Sequence, residues 1–229
     1  RKAIAYAISY DDIFQKAYLG FARRMRTPLP EGMLGYDTSL EKLGYDKDLD
    51  KARALMKEAG YSGRSGAKDF KLEMGHISPF ERYRRTLEIV ASDLAEIGIE
   101  STITGVASAT WSKMKQDPKT FYAIAPTHQT PVLYDPDIVM TLSYHPSGSL
   151  RLTGGLNYAD YDDPEVTKLI DLARGEADVT KRAEMYVKAQ KKILDYVPKI
   201  NLCSTGDLFV MRDWVQGAYY EPAYSRTYY

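Results

Sequence analysis

Between Gly60 and Ala125 the spacing of apolar residues switches back and forth between strand-like and helix-like periods, and this alternation restricts the chain to few folds. Asp69 to Met74 alternates as a strand does. Ser78-Pro79-x-Glu81 then reads as a capping box with proline at the first helical position, opening a helix that runs to Ile97 and stops at Gly98. Ile99 to Thr104 alternates again, Ser108 to Lys115 reads as a short helix, and Phe121 to Ala125 as a further strand. Strand, helix and strand joined by short links make a right-handed parallel crossover. The expectation is an α/β chain with one open, mostly parallel sheet holding all three strands and helices on both faces.

The flanking segments are more helical. Arg1 to Ile8 carries apolar residues at helical spacing, and a second helix is expected from Asp11, whose carboxylate would cap it, to Leu19 before Gly20. Arg23 to Ser39 contains Pro28, Pro30, Gly32 and Gly35 and reads as a long surface loop. Asp48 caps a helix from Leu49 to Ala59, with Gly60 in the left-handed position that ends it. The glycine-containing run Gly60 to Lys68 lacks Gly-Lys-Ser/Thr and follows a helix instead of preceding one, so it is a connector and not a phosphate loop. Asp135-Pro136 opens a helix to about Leu142, and Asp163-Pro164 opens another that ends near Gly175. Asp178 caps an amphipathic helix through Tyr196, which Pro198 breaks. Short strands are expected at Ile200 to Ser204 and Leu208 to Met211, and the tyrosine-rich tail Tyr219 to Tyr229 has no helical period.

Charge and composition narrow the function. Lys+Arg and Asp+Glu number 31 each and no long basic run occurs, which removes the electrostatic footprint of a nucleic-acid binder. The single cysteine, Cys203, forms no internal disulfide and sits in an apolar strand where it packs. His76, His128 and His145 are too far apart for a local metal motif, and Asp160, Asp162 and Asp163 lack the glycine and terminal glutamate of a calcium loop. Without a Gly-x-Ser-x-Gly elbow no enzyme signature is present, and no cofactor is expected.

The polar segment from Thr127 to Asp137 follows the carboxyl end of an expected strand and precedes a helix, which is where ligands bind in open α/β sheets. Thr127, His128, Gln129 and Tyr134 are the candidate ligand-binding residues there. Arg151 and Asn157, flanking Gly154-Gly155, are the other polar candidates. The 19 tyrosines add flat apolar faces with polar tips, suited to peptide or sugar ligands.

Four stretches in fixed order carry a family resemblance: Arg1-x-Ala3-x-x-Tyr6-Ala7-Ile8; Tyr45-Asp46 with Asp50-Lys51-Ala52, Leu55-Met56 and Ala59-Gly60-Tyr61; Asp93-Leu94-Ala95-x-Ile97-Gly98-Ile99; and Pro198-x-Ile200-x-Leu202 followed by Trp214-Val215-x-Gly217. Together they resemble the family 5 extracellular solute-binding proteins, the dipeptide and oligopeptide receptors of ABC importers. The resemblance implies the second, C-terminal lobe of a type II periplasmic-binding-protein fold over residues 1–205, with residues 206–229 returning to a first lobe outside this chain. It also implies a peptide-like or other small polar solute held between two lobes and delivered to membrane permeases, in a periplasmic or cell-envelope location reached by a leader not in this chain. The family's peptide binders carry Trp-x-x-Asp before an Asp-Pro-Asp. Here Gln129 stands at the tryptophan and Val132 at the acid, so the resemblance implies a solute held without that amine anchor. The apolar tail, with Trp214, is expected to return to the first lobe and, in this fragment, to be either disordered or buried against a second copy. The other classes open to such a fold are a regulator's ligand-sensing domain and an enzyme or metal-handling protein.

Overall fold

The computed structural model describes residues 1–61, 71–114, 117, 120–129, 134–148, 155–205, 210–217, 219–221 and 226–228. Helix α1 spans Lys2–Ala7, and α2 begins at Tyr10–Asp12 and continues as a π-helical stretch, Ile13–Ala17. Helices α3 (Leu49–Glu58), α4 (Glu81–Glu96), α5 (Ser108–Met114), α6 (Pro136–Tyr144), α7 (Pro164–Gly175) and α8 (Val179–Tyr196) follow. The strands are β1 (Ala22–Arg24), β2 (Lys71–Ser78), β3 (Glu100–Ala107), β4 (Cys203–Thr205), β5 (Tyr219–Glu221) and β6 (Arg226–Tyr228).

Strands β2 and β3 pair in parallel along their whole length, from Lys71 opposite Glu100 to Ser78 opposite Ala107. The expected third strand is reduced to one parallel bridge, Met74 to Ile124, supported by Gly75 N–H to Ile124 O at 3.0 Å and Ala123 N–H to Glu73 O at 2.9 Å. The reason is steric: the Tyr122 ring lies against the bare Cα of Gly75, so the segment docks on β2 through a ring rather than through a full ladder. Helices α4 and α5 both pack against β2 and β3.

Local chemistry explains the helix boundaries. The Asp48, Asp135, Asp163 and Asp178 carboxylates each accept a backbone N–H in the first turn of α3, α6, α7 and α8, as their positions before the helices predict. Helix α8 ends where Val197 turns left-handed ahead of Pro198. Its buried residues Tyr186, Ala189, Gln190, Ile193 and Leu194 recur at three- and four-residue steps, one face of a helix.

Three sequence expectations are corrected. Asp11 lies inside α2, whose N-cap is Ser9, and does not cap it. Ser78 does not cap α4, because pairing with Ala107 holds it in β2; the Ser78–Pro79 bond is cis and the helix starts after Phe80 without a side-chain cap. The stretch from Arg23 to Ser39 is not a surface loop: β1 pairs antiparallel with β4, and Thr27, Leu29 and Met33 are buried. Strand β4 starts at Cys203 and belongs to that pair, apart from the parallel strands. The expected strand at Leu208 to Met211 falls partly outside the described residues, and its described part, Val210 and Met211, is irregular.

Two apolar clusters fill the interior. The first joins α1, α2, α3 and α4 to Met74 and Ile99, and the second joins Leu29 and Met33 to α6, α7 and α8. Gln190, fully buried, stitches the second: its carboxamide oxygen accepts Leu29 N–H at 3.2 Å and its nitrogen donates to Gly35 O at 2.7 Å and Tyr186 O at 3.2 Å. Gln190→Leu leaves those buried groups unpaired and is expected to cost about 1–2 kcal/mol, read as a lower urea midpoint at unchanged slope.

Candidate functional site

The polypeptide leaves β2 at Ser78, β3 at Ala107 and the Ile124 bridge on one edge of the parallel sheet, because all three run the same way. The segment 125–129 continues from that edge. His128 and Gln129 are held by different elements. The buried Tyr83 hydroxyl, in the first turn of α4, meets His128 Nδ1 at 2.6 Å. Gln129 donates to Ile138 O at 3.4 Å and accepts from Ser143 Oγ at 2.8 Å, which fixes it to α6. The Thr127 side chain lies near the Tyr158 hydroxyl. Thr127 and His128 remain exposed.

Aromatic rings support the loop. Trp111 of α5 stacks on Tyr122 at 5.8 Å and meets Phe121 edge-on at 5.0 Å, and Phe121 stacks on Tyr158 at 5.5 Å. Trp111 is buried, whereas Phe121, Tyr122 and Tyr158 are partly open to solvent. Burial raises the Tyr158 and Tyr144 phenol pKa values, so both hydroxyls stay neutral donors. Such a wall offers π faces and polar tips together.

Lys199 completes this neighbourhood. Its Nζ lies 5.5 Å from the centre of the Tyr144 ring and 5.9 Å from that of Tyr158. Burial pushes its pKa down from 10.5 to about 7. Between those values the unfolded chain holds a proton that the folded chain has lost, so this residue makes folding more favourable as pH rises through that window. The available sequence signal for Lys199 was a lone cation set between Pro198 and the apolar Ile200-x-Leu202.

The structure brings Thr127, His128 and Gln129 together and places the other candidates differently. The Tyr134 hydroxyl donates to Glu31 O at 3.1 Å, tying its segment to the loop that carries Leu29 and Met33. Asn157 is 1% exposed; it donates to His145 O at 3.2 Å and Tyr161 O at 2.8 Å and accepts Tyr161 N–H at 2.9 Å, so it shapes the turn that presents Tyr158. Arg151 and Val132 lie outside the described residues. His76 sits in β2 with its ring over Gly105, and His145 follows α6. Among the described residues no group of three or more His, Cys, Asp or Glu is placed to hold a metal, and no helix is long and apolar enough to cross a membrane.

Residues 1–150 match the sequence model of the bacterial extracellular solute-binding proteins, family 5 (middle). The chain belongs to this family. As a family 5 member it is 26% identical to the dipeptide-binding protein of Escherichia coli K12 over 232 residues, which cover 97% of this chain and 40% of that protein. The solved periplasmic binding protein DppA from Helicobacter pylori, in complex with the peptide STSA, superposes with a TM-score of 0.78 at 27% identity, over 89% of this chain and 37% of that one. The oligopeptide-binding protein AppA from Bacillus subtilis, in complex with a nonapeptide, shares the fold with a TM-score of 0.83 at 19% identity, over 98% of this chain and 45% of that one. The family 5 chain thus has the fold of periplasmic peptide-binding proteins and spans about two fifths of the length of the curated relatives it matches.

Proposed function

We propose that the chain is part of the solute-binding component of an ABC importer, which captures a small polar, peptide-like solute between two lobes and hands it to membrane permeases in the periplasm or at the cell envelope. Residues 1–205 form the second lobe in this reading and residues 206–229 return to the first. The observation that carries it is the loop 125–129, which leaves the carboxyl edge of a parallel sheet with Thr127 and His128 exposed, His128 braced by α4 and Gln129 by α6. Capture needs no covalent step, so the protein is a receptor and not an enzyme. A solute that touches both lobes only when they close shifts the population toward the closed form, which is the form a permease can recognise.

Val210, 90% exposed, and Trp214, 74% exposed, are assigned to the surface that the first lobe covers in the whole protein; in the isolated chain the same surface would join two copies. Half of the solute's contacts belong to that first lobe, so this chain alone is expected to bind di- and tripeptides weakly while the full-length protein binds them at least about a hundredfold more tightly. Calorimetry on both forms checks this. Equal, submicromolar affinity for the short chain would place the whole site within it and overturn the two-lobe reading.

A further inference from the structure

Lys199 is a cation with no carboxylate partner among the described residues. Lys2, Lys16, Lys47 and Lys192 each meet a carboxylate within 3.0 Å, at the solvent-facing margin of the fold. Among the described residues no carboxylate reaches Lys199, which is half-buried; its Nζ lies by the faces of Tyr144 and Tyr158. Ring faces compensate a partly desolvated ammonium only in part, and an ionic partner is the usual remedy. The surroundings match an incoming carboxylate. Tyr158 lies between the ammonium and Thr127, which is near its hydroxyl and exposed on the candidate loop. Asn201, on the same extended segment as Lys199, engages the Tyr144 hydroxyl at 3.4 Å and so holds one wall in place.

We propose that Lys199 is the carboxylate-binding residue of this solute site, so that the solute enters with an acid group directed past Thr127 and Tyr158 onto the ammonium. The proposal rests on the solute-binding reading and adds to it a specificity: acids are taken and their amides are refused. The carboxylate supplies the charge that the tyrosine faces lack, and the neutral Tyr158 and Thr127 hydroxyls supply further donors. The depressed ammonium pKa agrees with this picture, since an acid arriving at neutral pH would restore the proton.

Lysine-selective isotope labelling and NMR of the chain test it, with four probes: acetate, acetamide, Ala-Ala and the C-terminal amide of Ala-Ala. Acetate and Ala-Ala are expected to move the Lys199 side-chain resonances and raise their titration midpoint, while acetamide and the dipeptide amide leave them in place. Ala-Ala is expected to bind at least about tenfold more tightly than its amide, and Lys199→Met, which removes a desolvated charge and folds at least as well, is expected to abolish that ratio. Loop amides at 127–129 that respond to both dipeptides while Lys199 responds to neither would overturn the subsite and leave solute capture standing. Loop amides silent to both dipeptides, with Lys199 still responding to acetate and not acetamide, would keep the carboxylate site and overturn its assignment to a peptide-like solute. A Lys199 that already titrates near 10.5 in the full-length protein before any probe is added would show that a carboxylate of the protein itself occupies the place, and would overturn the proposal.

Discussion

Asp93→Ala is expected to lower the stability of the chain by about 2–4 kcal/mol. Asp93 is 3% exposed on α4, and its two oxygens accept Ser9 N–H at 2.7 Å, Ser9 O–H at 2.6 Å and Lys47 Nζ at 3.0 Å. Removing the carboxylate leaves a part-buried N–H at the turn between α1 and α2 without an acceptor. Lys47 keeps Glu96 at 2.7 Å, and for that reason the loss stays below that of an ion pair stripped completely. Asp93→Asn retains an acceptor for Ser9 and should recover about half of the difference, and because the carboxylate is shielded from solvent, added salt should change neither value much. Denaturant unfolding of the three proteins at two ionic strengths measures this; an alanine variant within about 0.5 kcal/mol of the parent would mean that the cluster is solvated in solution.

Gly75→Ala carries the second large effect, of about 2–4 kcal/mol, and it strikes the site as well as the fold. A methyl group built on Gly75 would sit 2.0 Å from Tyr122 Cδ2 and 2.1 Å from Cε2. The ring cannot yield like the tip of a flexible chain, since it is stacked on buried Trp111. Overpacking of this kind costs about 1–3 kcal/mol, and breaking the aromatic pair adds about 0.5–1.5. Expelling Tyr122 also undoes the Ile124 bridge that launches the loop 125–129, so His128 should lose its hold on Tyr83. The double variant Gly75→Ala with Tyr122→Ala should be more stable than Gly75→Ala alone, because the added methyl then has room. Strictly additive losses in that cycle would show that the ring does not occupy the glycine's place.

Whatever depends on neighbours in sequence was legible before the fold was known. Asp48, Asp135, Asp163 and Asp178 announce four helices because a cap acts on N–H groups two or three residues away. The parallel β2–β3 pair follows from strand, helix and strand in succession. The β1–β4 pair is different: Arg24 and Cys203 oppose each other across most of the chain, and nothing near either residue marks the other. Likewise the proline- and glycine-containing stretch after Arg23 looks solvated until Gln190 is found beneath it. The candidate loop was visible as a polar segment after a strand, whereas the braces that shape it, Tyr83 and Ser143, come from two distant elements. Lys199 escaped notice for the same reason, as its surroundings are supplied by Tyr144 and Tyr158.

The division of the interior into two apolar clusters has a mechanical side. His128 is moored to α4, whose inner face fills the first cluster, while Gln129 is moored to α6 in the second. Two adjacent residues therefore straddle the seam and tie the two clusters together. A molecule resting on Thr127 and His128 is expected to stiffen that tie, read as slower amide hydrogen exchange in α4 and α6 together.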